Sequence, residues 1–218
     1  VSYDAPSVSS AGVSNAASSG AMSVSVSGRG MGASGHSAAG RVGGSACGAS
    51  VWRSDSGLVC RSGAGSGWGQ NVVVSAGVQR GSLSAAVSYN APSVSSVGLS
   101  NAASSGGLSV SVVGRGGMGM SGSSGGVRLG LSACEGSGWV SDSAVVCKAA
   151  GGVVSGGAVG VVSAGVQRGS VSGLLSYDGP SVSCAGVSNV ASSGSLSVTV
   201  VGRGGLGASG ASSRVRVG

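Results

Sequence analysis

Five cysteines, one histidine and five acidic residues have the widest chemical reach in this 218-residue chain. Cys47 and Cys60 stand thirteen positions apart in CGASVWRSDSGLVC, and Cys134 and Cys147 repeat that spacing in CEGSGWVSDSAVVC. Paired cysteines serve either zinc or a disulfide. Zinc sites use close cysteine pairs with histidine partners, whereas His36 is the single histidine and has no counterpart near the second motif. Each pair is therefore read as a disulfide. A loop of this size gains about 3 kcal/mol on the chain-entropy estimate, and its oxidation places the protein outside the reducing cytosol, extracellular or at the cell surface. Cys184 stands where Ser10 and Ser96 stand in earlier copies, as a free thiol or an intermolecular link.

Other chemistries find little material. A Ser-His-Asp triad needs a positioned histidine, and His36 sits in a glycine-rich loop. Asp4, Asp55, Asp142 and Asp178 occupy repeated turn or junction positions, where aspartate bonds nearby backbone. GRGMG and its copies resemble phosphate loops only in glycine content, because no helix follows to complete such a site. We expect no catalysis, no metal and no cofactor. Twelve Lys and Arg against five acids give net charge +7, but the arginines are spaced out and aromatic residues make only 3% of the chain, so nucleic acid is not an expected partner. Arg29, Arg115 and Arg203, with Arg41, Arg128 and Arg216, recur once per unit, either as a stripe toward an anionic partner or as solvated charge.

The elements that hold these residues repeat. Tyr3, Tyr89 and Tyr177 step by 86 and then 88 residues, and Pro6, Pro92 and Pro180 and Asn15, Asn101 and Asn189 do the same. Residues 1–5 match the end of a unit, 6–91 and 92–179 are full units, and 180–218 match the first part of another. Continuation of the chain or a neighbouring subunit is expected to complete the open ends. The signals inside a unit are β throughout. In SLSAAVSY, Leu83, Ala85, Val87 and Tyr89 alternate with Ser82, Ser84, Ala86 and Ser88, and in LSVSVVG the inward set is Leu108, Val110 and Val112. The uncharged run 149–166 carries six glycines and reads as two short strands around a turn, with no membrane-spanning segment. About seven strands per unit, with turns every eight to twelve residues, point to an all-β chain of tandem immunoglobulin-like sandwiches in a stiff rod.

Three stretches carry a resemblance: APSVSSVGLSNAASSGGLSVSVVGRGGMG, VRLGLSACEGSGWVSDSAVVCK and SVSGLLSYDGP. An opening Pro-x-Val, a Val-rich strand ending in a glycine turn, the Cys, Ser-Asp and Cys series, and a closing strand ending in Tyr are similar to the IPT/TIG domain. The resemblance implies an immunoglobulin-like fold. It departs at Met31, Met118 and Leu206, where that family often has an aromatic residue.

Serine fills 52 positions and glycine 47, and serine occupies outward strand positions where charged residues or threonine usually keep a sheet soluble. No Asn-x-Ser/Thr sequon is present, so covalent O-linked glycans are expected, on serines, on Thr199, or on hydroxylated Pro6, Pro92 or Pro180. The expected function is structural. Self-association of such units into a filament is similar to extracellular glycosylated fibrils of aquatic microbes; the alternative is the repeated stalk of an adhesin or receptor that binds protein or carbohydrate.

Overall fold

A computed structural model describes residues 4–33, 38–122, 125–153, 157–207 and 214–216. The chain is all-β. Nine strands build the first sandwich: β1 (Ser7–Ala11), β2 (Asn15–Ala16), β3 (Ser23–Arg29), β4 (Ala39–Val42), β5 (Ser45–Ala46), β6 (Ala49–Ser54), β7 (Gly57–Arg61), β8 (Gln70–Ala76) and β9 (Gln79–Tyr89). One sheet runs β1-β3-β7-β6 and the other β2-β9-β8-β4-β5. The second sandwich repeats both orders with β10 (Val94–Val97), β11 (Asn101–Ala102), β12 (Ser109–Gly114), β13 (Gly125–Leu129), β14 (Ser132–Ala133), β15 (Gly136–Ser141), β16 (Ala144–Lys148), β17 (Ala158–Ala164) and β18 (Gln167–Tyr177). Two further strands, β19 (Val182–Ala185) and β20 (Val200–Gly202), pair antiparallel as β1 pairs with β3.

Alternating Val and Ser make these elements, because successive side chains of a strand point to opposite faces. Val24 and Val26 of β3 are buried while Ser23, Ser25 and Ser27 face solvent, and Val110 and Val112 of β12 are buried with Ser109 and Ser111 outside. They join Leu58, Val72, Val74, Val87 and Tyr89 in one core, with Val145, Val162, Leu175 and Tyr177 in the other. Met31 and Met118 close those cores at 0% and 1% exposure. An unbranched thioether fills an irregular gap well, which accounts for methionine after the glycine turn.

The structure departs from the expected pattern in three places. Leu108 precedes β12 and is 40% exposed, so only Val110 and Val112 of its set face inward. Among the described residues of run 149–166 there is one strand, β17, followed by the Gly165–Val166 tip of its hairpin. In β9, Val72 pairs with Leu83 and Gln70 with Val87, leaving a bulge in between. Ala85 sits in that bulge at φ 51°, exposed, its N–H donating to Asn71 Oδ1 at 3.1 Å. A β-carbon is strained there by roughly 1–2 kcal/mol, and the second repeat uses Gly173 at φ 76° in the same position. Ala85→Gly is expected to raise stability by about 0.5–1 kcal/mol despite the added chain entropy, read as a higher denaturant midpoint at unchanged m-value.

The two disulfides join sheet to sheet. Cys47 N donates to Gly40 O of β4 at 3.0 Å, while the next amide, Gly48 N, donates to Arg61 O of β7 at 2.8 Å. The chain thus leaves one sheet for the other at Cys47, and its bond to Cys60 fastens the crossing, with Cα atoms 5.6 Å apart. Cys134 N to Val127 O, Glu135 N to Lys148 O and the Cys134–Cys147 bond, Cα atoms 5.7 Å apart, copy the arrangement.

Candidate functional site: the joint between repeats

The loop Ala17–Gly20 at one end of the first repeat carries Ser18, which is 0% exposed. Its Oγ accepts Gly117 N of the second repeat at 3.0 Å and donates to Asp142 Oδ1. Gly117 belongs to the glycine turn after β12, and Asp142 to the Ser-Asp-Ser turn between β15 and β16. Across the same joint the β17–β18 hairpin delivers Gln167, also 0% exposed. Its Nε2 donates to Tyr89 O at 2.7 Å and its Oε1 accepts Gly67 N at 3.0 Å. Both ends of one amide are therefore spent on the preceding repeat.

Four polar side chains are buried among the described residues, namely Ser18, Ser62, Ser104 and Gln167. Three of them lie at joints: Ser104 repeats the part of Ser18, its Oγ accepting Gly205 N of the third unit at 2.9 Å. Buried polar groups are costly unless bonded, so these side chains favour the single docking geometry that satisfies them. The linker is held too. Asn90 accepts from Asn15 Nδ2, and its N–H donates to Ala16 O at 2.9 Å. Asp178 has the same two partners in Asn101 and Ala102.

The Ser-Asp-Ser turns organise the neighbouring glycine turns. In the first repeat Asp55 accepts Gly30 N and Gly32 N on its two carboxylate oxygens at 3.3 and 3.2 Å, and its carbonyl accepts Met31 N at 2.9 Å. Trp52 Nε1 donates to Gly32 O at 3.0 Å, and Trp139 Nε1 to Gly119 O at 3.1 Å, so each indole is anchored to its glycine turn.

Pro6 and Pro92 open their repeats buried, each carbonyl pressed on a glycine of the last strand: a β-carbon at Gly81 would lie 2.0 Å from Pro6 O, and one at Gly169 would lie 1.9 Å from Pro92 O. Of the positions considered for a glycan, Pro6 and Pro92 are thus buried, whereas Pro180 and Thr199 are exposed. Arg29 ends β3, and Arg115 and Arg203 directly follow β12 and β20, while Arg41 and Arg128 lie in β4 and β13 of the opposite sheets. They form two separate series, one on each sheet of the sandwich. Arg216 is exposed, Cys184 is an exposed free thiol on β19, and His36 lies outside the described residues. Among the described residues, no group of three potential metal ligands occurs and no helix is long and apolar enough to cross a membrane.

Tyr89 and Tyr177 close the last strands, with hydroxyls donating to Gly63 O and Ala150 O, both at 3.1 Å. Burial pushes both phenols above their ordinary value of 10. A folded-state value above the unfolded one means that their contribution is intact below about pH 10 and is lost as pH rises through the folded value. The denaturant midpoint is expected to fall on titration above pH 10, in step with tyrosinate absorbance, and Tyr89→Phe/Tyr177→Phe is expected to flatten that fall.

Neither a family model nor a curated protein sequence matches the chain. Solved structures with a likeness include the plexin A4 extracellular region, at 16% identity and TM-score 0.41 over 83% of this chain and 16% of that one. A surface glycan-binding protein from Prevotella bryantii has 12% identity and TM-score 0.44 over 78% of this chain and 40% of its own. A tandem of titin immunoglobulin domains has 12% identity and TM-score 0.34 over 82% of this chain and 99% of its own. This chain thus spans about one sixth of the plexin region. Strand order and register define the class: a tandem of immunoglobulin-like β-sandwiches, each tied sheet to sheet by a disulfide.

Proposed function

We propose that the chain is a structural element of the extracellular or cell-surface space, the body of an O-glycosylated filament in which sandwiches dock end to end. The observation that carries the reading is the joint: the side chains of Ser18 and Gln167 are fully buried and hydrogen-bonded across it. A freely hinged stalk would expose such groups to water. A second joint of the same kind at Ser104 supports a repeating mechanical design. The disulfides support an oxidising compartment. Sparse charge and exposed serines support a glycan coat on serine, Thr199 or Pro180. Electron microscopy of native material tests the filament: long fibres of regular axial repeat are expected, and isolated short rods would favour the adhesin stalk. Intact mass tests the coat, and a bare polypeptide would rule it out.

A further inference from the structure

In the second repeat, pairing aligns Gly126 of β13, Ser163 of β17 and Arg168 of β18 in one row, and Arg128, Val161 and Ser170 in the next row of the same face. The intervening Val127 and Val162 are buried in the core, so this face looks outward. The two arginines stand diagonally at about 12 Å between Cα atoms, from ordinary strand and residue spacings. Ser137 completes the cleft of about 330 Å³ that they flank. A β-carbon on Gly126 would meet nothing within 4 Å, so glycine keeps the floor open.

The first repeat builds the same rows: Ala39, Ser75 and Arg80, then Arg41, Val73 and Ser82. Arg41 Nη2 donates to Gly44 O at 3.0 Å and Arg128 Nη2 to Leu131 O at 2.8 Å, which fixes one guanidinium of each pair without neutralising it. The carboxylates nearest in kind are engaged elsewhere: Asp55 on Gly30 and Gly32, Asp142 on Ser18, Asp178 on Asn101 and Glu135 on Lys148 at 2.9 Å. The only ion pair among the described residues is that last one.

We propose that these arginine pairs, Arg128 with Arg168 at the cleft and Arg41 with Arg80 at the matching register of the first repeat, bind the anionic groups of an acidic polysaccharide. Guanidinium is suited to carboxylate and sulfate, to which it donates two parallel bonds. The serine hydroxyls between the arginines both donate and accept, as sugar hydroxyls require. An exposed arginine pair repeated along the chain suits a long ligand that engages several sites at once, so that weak contacts add through effective concentration. The proposal does not depend on the filament reading.

The test is titration calorimetry of the whole chain with polygalacturonate, dextran sulfate and neutral dextran. Wild type is expected to bind a charged polymer and not neutral dextran; the two charged polymers separate a carboxylate from a sulfate preference. Arg128→Ser/Arg168→Ser is expected to weaken binding at least tenfold and Arg41→Ser/Arg80→Ser to a similar degree. Arg53→Ser/Arg61→Ser, exposed on the opposite sheet and equal in charge removed, is expected to change it less than twofold. Equal losses in all three double variants would reduce the effect to net charge and overturn the proposal, as would failure to bind either charged polymer. Unchanged thermal unfolding of each variant confirms that folding is not what is being read.

Discussion

Cys134→Ala/Cys147→Ala is expected to lower the stability of the second repeat by about 3 kcal/mol on the loop-entropy scale, and Cys47→Ala/Cys60→Ala to do the same in the first. The loss should reach the upper part of the usual range. Cys60 and Cys147 are 0% exposed within their cores, so alanine leaves a cavity as well as a longer loop. It should also show in one particular place. The bond fastens the point at which the chain passes from one sheet to the other, so β14 and β15 should gain hydrogen exchange before β12 and β16. Denaturant unfolding with amide exchange checks both parts. Stability unchanged by the substitution, or exchange raised uniformly, would mean that the sheets hold each other without the bridge.

Gly169→Ala is the second large effect, with an expected cost of about 2–3 kcal/mol from forced overpacking. The new β-carbon would stand 1.9 Å from Pro92 O and 2.6 Å from Pro92 C, both backbone atoms that no rotamer change moves. Either β10 shifts outward or β18 does, and both carry the joint: β10 follows the linker, and β18 begins at Gln167. Gly136→Ala is the control. It lies on the exposed edge strand β15 with nothing within 4 Å of the added carbon, and its effect is expected within about 0.5 kcal/mol. Comparable losses in the two variants would dismiss the close approach at Pro92 as the cause.

Much of this architecture was legible because serine and valine alternate with a period that only a strand uses, and because the units could be aligned on Tyr, Pro and Asn. The cysteine spacing announced a bridge; it did not announce that the bridge crosses between sheets, since that depends on where β5 ends and β6 begins. The bulge at Ala85 was hidden by composition: the first repeat has alanine at a left-handed position where the second has Gly173. The joint was the hardest to foresee. Ser18 and Ser104 are two among 52 serines, and nothing local marks a serine that will be buried by another domain. Gln167 was findable. Glutamine occurs only at Gln70, Gln79 and Gln167, and the last two sit in identical SAGVQRGS segments. A rare side chain with both a donor and an acceptor, copied at a hairpin tip, is a signature of a contact that must be satisfied at both ends. The arginine pairs were half visible: Arg41 and Arg128 recur by eye, but only strand register brings Arg80 and Arg168 beside them.

Joint rigidity is measured most directly by amide residual dipolar couplings from residues 6–89 and 92–177 in one weakly aligned sample. A single alignment tensor should fit both repeats of the wild-type chain, and Ser18→Ala/Gln167→Ala should need two, with the core couplings within each repeat retained. Two tensors of different magnitude already in the wild type would show sandwiches that reorient freely, and the end-to-end locked design would be contradicted.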